Sequence, residues 1–249
     1  MHFLEYFAII ERDHTIQNPS SPEKIRLLAD YCQVRHGLRV LDVGSGKGYL
    51  LCTWAKEWQI EGTGLEINPW FIAEARARAQ EAGVTDRVAF IEGPALDFSP
   101  EPGGYDIVLC IGASFALQDF DHAIPWMLAA LKPDGVLAIG EPFFHAPLPP
   151  EVAAKVDPEL ARLRDLVGTV AAFEEHGLSL DGFIAASLDD WDRYESPHWR
   201  AAREWARANP DHPDREEFLR RVRHDKEAYF QWQRQYLGWG IFVGRRASF

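Results

Sequence analysis

The sequence predicts an α/β fold in which a mostly parallel sheet carries helices on both faces. Three observations predict it. Strands and single helices alternate between residues 38 and 140; an apolar strand runs into glycines at 44, 46 and 48 before a helix begins; and an acid, Glu66, closes the next strand. With 249 residues, 47% of them apolar, the chain suits one large domain with a full core, or a nucleotide-binding domain with a smaller attachment.

The elements follow in order. The first stretch, to about Pro22, is short and shows little periodicity. Ser21 is placed to cap a helix with Pro22 in its first turn; Ile25, Leu28 and Ala29 supply the apolar stripe, and Gly37 ends the segment. Residues 38–43 read as a strand, 49–58 as a helix and 61–67 as a second strand. Asn68 and Pro69 open a helix reaching residue 82, followed by strands at 87–91 and 105–111. A helix near 122–131 ends at Lys132-Pro133-Asp134-Gly135, a turn before the strand 136–140.

Beyond Gly140 the rhythm changes. Pro142, Pro147, Pro149 and Pro150 predict an irregular connection over 141–150. A helix over roughly 158–176 and a strand at 182–188 are expected next. Residues 196–236 read as two helices broken around Asn209-Pro210-Asp211-His212-Pro213, and 239–245 as a final strand.

Composition narrows the function classes. The formal charge of -12 opposes binding to a phosphate backbone, and the basic cluster Arg220, Arg221, Arg223 and Lys226 is interleaved with Glu216, Glu217, Asp225 and Glu227. No nucleic-acid partner is expected. No apolar run approaches the roughly 20 residues that span a bilayer, so no membrane partner is expected either. The three cysteines lack CxxC spacing, Cys110 lies in an apolar run, and the N-terminus lacks the pattern of a signal peptide; a reducing, cytoplasmic location is the expectation. Nothing in the sequence indicates an oligomeric state.

The glycine turn carries the chemistry. Glycines at 44, 46 and 48, with Ser45 between them, let the backbone curl tightly and press a ligand against a helix N-terminus. Lys47 is followed by Gly48, which departs from the phosphate loop of nucleotide hydrolases. Tyr49 stands where a dinucleotide fingerprint needs its third glycine. Asp42, just before the turn, disfavours two phosphates and suits a ligand with a cationic amine. Glu66, about 20 residues past the turn, is placed to accept ribose hydroxyls. Ile111, Gly112 and Ser114 end the fourth strand, where an open parallel sheet has its ligand crevice.

These residues resemble the class I S-adenosylmethionine-dependent methyltransferases over roughly 38–140. Val40-Leu41-Asp42-Val43-Gly44-Ser45-Gly46-Lys47-Gly48 is similar to the family's first motif, Gly64-Leu65-Glu66-Ile67 to its second-strand motif, and Leu131-Lys132-Pro133-Asp134-Gly135-Val136-Leu137 to the turn and fifth strand of small-molecule members. The resemblance implies a Rossmann-like, seven-stranded sheet with an antiparallel last strand. It also implies S-adenosylmethionine as cofactor, with the glycine loop near its methionine part, Glu66 on the ribose and Ile67 against the adenine. Ile111 would line the cofactor, and the residues after the fourth strand would face the transferable methyl. Pro94 stands where such enzymes often carry an adenine-binding acid; the Ala95 N–H and the Leu96 side chain are the replacements, with Asp97 a displaced one.

The whole chain, 1–249, is then one methyltransferase domain acting on a small-molecule acceptor. Residues 1–37 cover the crevice, 38–140 form the cofactor core, and 141–249 the substrate side, with a helical insertion or lid at about 190–237. His14, Glu141 and Tyr194 are the catalytic candidates; Glu141 either holds a cationic group or takes a proton. Ser114, His145 and Trp191 are the acceptor-side candidates. His198, His212 and His224 lack metal-ligand spacing, so no metal is expected, and His198 and His224 read as solvated helix residues. The alternatives are a methyltransferase of protein or RNA and a nicotinamide-dependent oxidoreductase.

Overall fold

The computed structural model describes every residue except 159, 248 and 249. Its centre is a seven-stranded sheet built from β1 (Arg39–Val43), β2 (Glu61–Glu66), β3 (Val88–Glu92), β4 (Tyr105–Ile111), β5 (Leu131–Phe144), β6 (Leu178–Ala185) and β7 (Leu237–Arg246). The order is β3-β2-β1-β4-β5-β7-β6, with β7 antiparallel to both neighbours and the remaining pairs parallel. The helices are α1 (Phe3–Ile10), α2 (Pro22–Tyr31), α3 (Tyr49–Trp58), α4 (Pro69–Ala82), α5 (Phe120–Ala130), α6 (Pro150–Ala153), α7 (Leu166–Glu175), α8 (Leu188–Ala208) and α9 (Arg215–Ala228).

Both sheet faces are buried, as parallel strands joined by helices require. Val40, Ile107, Leu109 and Ala138 meet α2, α3 and α4 on one face; Leu41, Val108, Leu137 and Ile139 meet α5 and α7 on the other. Local capping sets the helix starts. The Ser21 hydroxyl accepts the Lys24 N–H, and Asn68 accepts the Trp70 N–H at 3.1 Å.

Several segments differ from the sequence-based reading. Residues 3–10 are helical because Tyr6 and Ile10, one turn apart, bury themselves against Ala202 and Phe218 of the insertion. The fifth strand does not stop at Gly140. It continues through Pro142 to Phe144, paired with β7 after β4 has ended, with only Phe144 bridged to Asp165 on the other side, and a strand unpaired on one side at Pro142 tolerates proline. The helix expected over 158–176 begins only at Leu166, where Asp165 accepts the Gly168 N–H at 2.7 Å. Strand β6 lies earlier than expected because a capping box of Ser187 and Asp190 starts α8 at Leu188. The break between α8 and α9 falls at 209–214, around the predicted prolines.

Candidate active site

Glycines 44, 46 and 48 all have positive φ (70°, 52° and 70°), a region that side chains strain. The turn is also crowded. A Cβ on Gly44 would collide with that of Ala113, and one on Gly46 with the Gln17 side-chain oxygen. The turn therefore lies between the end of β4 and residues from the N-terminal segment.

Around it the polar groups divide into satisfied and orphaned. The Glu66 carboxylate accepts the Gly46 N–H at 2.9 Å through one oxygen and the Asn68 N–H at 2.8 Å through the other. Burial pushes this carboxyl up, and the N–H donors partly offset the rise. Asp42 is buried, and no described residue donates a hydrogen bond to it; burial lifts its carboxyl to about 8, with Glu66 adding to the effect. The Ser45 hydroxyl and the Asn18 side-chain oxygen are also buried without partners. A ligand with a cationic amine and hydroxyl groups fits this set, since it would supply the missing charge and donors. Ile67 and Leu96 present exposed apolar side chains along the same edge, while Ala95 and Ile111 are buried.

The N-terminal segment is strapped across the turn. Gln17 accepts the Lys47 N–H at 2.8 Å, and the buried Lys47 ammonium donates to the carbonyls of Glu11 and Arg12. Asn18 donates to the Ile111 carbonyl at 3.4 Å. Gly112 leaves room for Asn18 and the Trp239 indole, each within 4 Å of where its Cβ would stand.

The acceptor-side candidates are dispersed. Glu141 is partly buried at the end of β4's pairing with β5, facing Ser114. Burial raises its carboxyl to about 7, partly offset by the Ser114 hydroxyl and the charge of Arg164. His145 is exposed, its ring edge-on to Phe143 and its N–H bonded to the Tyr236 carbonyl. Trp191 packs between the sheet and the insertion, and its buried indole N–H is unpartnered.

His14 and Tyr194 come together, with Glu11 and His198. The Tyr194 hydroxyl donates to Glu11 at 2.7 Å, His14 Nε2 lies 2.7 Å from the Tyr194 carbonyl oxygen, and His198 Nε2 lies 3.1 Å from Glu11. Burial keeps the His14 imidazole below its ordinary value despite the Glu11 charge. His198 is not on a solvated face as expected: α8 turns it inward onto Glu11. His224 is exposed on α9, as expected. Sequence reasoning singled out His14 in this stretch but not Glu11, Gln17 or Asn18, whose roles depend on contacts made far along the chain.

A family model described as a methyltransferase domain matches residues 35–186. The chain belongs to the S-adenosylmethionine-dependent methyltransferases. A Geobacter sulfurreducens methyltransferase solved with S-adenosyl-L-homocysteine is similar, with 35% identity, 98% of each chain covered and a TM-score of 0.91. The uncharacterized Escherichia coli K12 protein YjhP is 35% identical over 95% of this chain and 96% of its own length. Its crystal structure superposes with a TM-score of 0.91, covering 98% of this chain and 100% of that one. A 27-O-demethylrifamycin SV methyltransferase of Amycolatopsis mediterranei is 29% identical over 71% of this methyltransferase and 65% of its own chain. S-adenosylmethionine is the methyl donor, and the oxidoreductase alternative falls with the family assignment.

Proposed function

We propose that this methyltransferase acts on a small molecule held over the ends of β4 and β5. The observation that carries this reading is the strap of residues 11–18, which closes over the glycine turn and the end of β4 through Gln17, Asn18 and Lys47. A crevice covered in this way suits an acceptor that enters it whole, and the acidic chain disfavours RNA. The rifamycin-directed relative, whose acceptor is likewise a small molecule, supports the same reading.

When bound, the cofactor supplies an electrophilic methyl group for in-line displacement. Asp42 and the Asn18 and Ser45 oxygens would hold its amino-acid end, Glu66 its ribose, and Ile67, Ala95 and Leu96 its adenine. Ile111, beneath the strap, lies on the methyl side, so the chain excludes water and aligns the acceptor there. Glu141 and Ser114 form the polar pair nearest that side. A carboxyl titrating near 7 is suited to receiving the acceptor's proton or pairing with its cation. His14 and Tyr194 act through the strap, where the Tyr194 hydroxyl donates to Glu11 and His14 faces the Tyr194 carbonyl.

Label transfer from methyl-labelled cofactor decides the acceptor class. Counts should appear in the small-metabolite fraction of an extract; counts confined to protein or RNA would discard the reading. Glu141→Gln should lower transfer while leaving cofactor affinity within about threefold. Unchanged transfer would remove Glu141 from the acceptor side.

A further inference from the structure

Where the strap meets α8, the side chains of Glu11, His14 and His198 converge, and two of their atoms, Glu11 Oε2 and His14 Nδ1, are buried without hydrogen-bond partners. The Glu11 carboxylate and the His14 and His198 rings bring ligating atoms within 4.8 Å of one another. Glu11 is 2% exposed and His14 8%. His14 Nε2 faces the Tyr194 carbonyl, which can only accept, so Nε2 carries the proton and Nδ1 offers its lone pair. That Nδ1 lies 3.2 Å from Glu11 Oε2, yet neither atom has a hydrogen-bond partner among the described residues. Two acceptors face each other across a buried gap.

We propose that Glu11, His14 Nδ1 and His198 Nε2 form a site for a four-coordinate divalent transition-metal ion of the zinc class. Two ligands of a tetrahedral zinc ion stand about 3.3 Å apart, given metal–ligand distances of about 2.0–2.1 Å. Glu11 Oε2 lies 3.2 Å from His14 Nδ1 and Glu11 Oε1 lies 3.1 Å from His198 Nε2, so the two rings meet the two oxygens of one carboxylate. With one atom taken from each residue, all three lie within 4.8 Å of one another, and closure of the rings onto one carboxylate oxygen completes the set.

The surrounding groups are those that orient metal ligands. A ligating histidine donates its second N–H to an oxygen. His14 does so to the Tyr194 carbonyl, and His198 Nδ1 lies 3.7 Å from the Glu195 carboxylate. The Tyr194 hydroxyl steadies Glu11. The Lys47 ammonium is already committed to two backbone carbonyls and to Glu74. A cavity of about 230 Å³ lined by Glu11, Tyr194, Glu195 and His198 provides an entry path and an open fourth position. An ion here fastens the strap to α8, because Glu11 and His14 lie on the one and His198 on the other. The inference does not depend on the identity of the methyl acceptor.

The test uses the full chain, stripped with EDTA, reloaded with Zn2+ or Co2+ and desalted before metal analysis. The expected result is a single retained ion per chain, lost in His14→Gln and His198→Gln variants whose circular dichroism is unchanged. Tyr194→Phe should bind the ion about 10- to 100-fold more weakly, as expected when a ligand loses its orienting partner. Equal retention by the histidine variants, or none by the unaltered chain, overturns the proposal. Should the variants fail to fold, the Co2+ spectrum of the unaltered chain decides: intense tetrahedral bands support the site, and the weak spectrum of solvated cobalt rejects it.

Discussion

The Lys47 ammonium lies 2.9 Å from the Glu11 carbonyl oxygen, so the residue between two glycines of the turn after β1 also anchors the N-terminal strap. Its remaining donors go to the Arg12 carbonyl at 3.0 Å and to Glu74 at 3.0 Å, so all three ammonium hydrogens are used. Lys47→Met should cost about 2–3 kcal/mol, because two buried carbonyls lose their donor. Urea unfolding measures that loss. Limited proteolysis should also show faster cleavage within residues 11–18, and protection equal to the unaltered chain would mean the strap is held by other contacts.

Gly46 is constrained in two separate ways, by its φ of 52° and by the Gln17 oxygen standing where a Cβ would go. Gly46→Ala should therefore weaken S-adenosylhomocysteine binding by at least about tenfold, combining strain with a displaced strap. Gln17→Ala in the same chain removes the clash but not the strain, so it should restore only part of the affinity. Complete restoration in calorimetry would show that the backbone conformation itself matters little.

The glycine turn and the two acids beside it are legible in the sequence because their determinants are local. Asp42, the three glycines and Glu66 sit within one strand–turn–helix–strand unit, where spacing alone fixes their relative positions. The antiparallel β7 followed from family resemblance. The acceptor half was less legible for a physical reason: Glu11 meets His198 across 187 positions and Tyr194 across 183, and no periodicity records such contacts. Helix α1 escaped notice because it is short and its stability comes from packing on α8 and α9 rather than from an amphipathic pattern. The continuation of β5 past Pro142 depends on which strand remains beside it.

Asp190 anchors the other end of the insertion. Its buried carboxylate accepts from Lys24, from the Ser187 N–H at 2.8 Å and from Arg193 at 2.9 Å. Burial alone would raise it, but these donors outweigh burial and bring it from 3.8 down to about 2. A depressed carboxyl stabilises the fold above its unfolded value and loses that contribution as pH falls through the folded one. Asp190→Asn should thus cost about 2 kcal/mol near pH 6 and progressively less between pH 4 and 2. Denaturation at several pH values checks this, and a pH-independent difference would assign the effect to packing.

Asp42 has the opposite sign. Its carboxyl is held at about 8 against an ordinary 3.8, so the folded chain keeps a proton that the unfolded chain has released, and ligand-free stability declines as pH rises across that interval. Asp42→Asn should raise the ligand-free melting temperature, with a gain that grows from pH 5 to pH 8. Binding runs the other way. An ammonium placed beside Asp42 favours its ionised form, so cofactor binding at neutral pH should release a proton and tighten as pH rises toward 8. Calorimetry of S-adenosylhomocysteine in buffers of different ionisation enthalpy reads that proton directly. The asparagine variant should bind more weakly and release none; a variant that binds equally well, with the same buffer dependence, would move the ammonium away from Asp42.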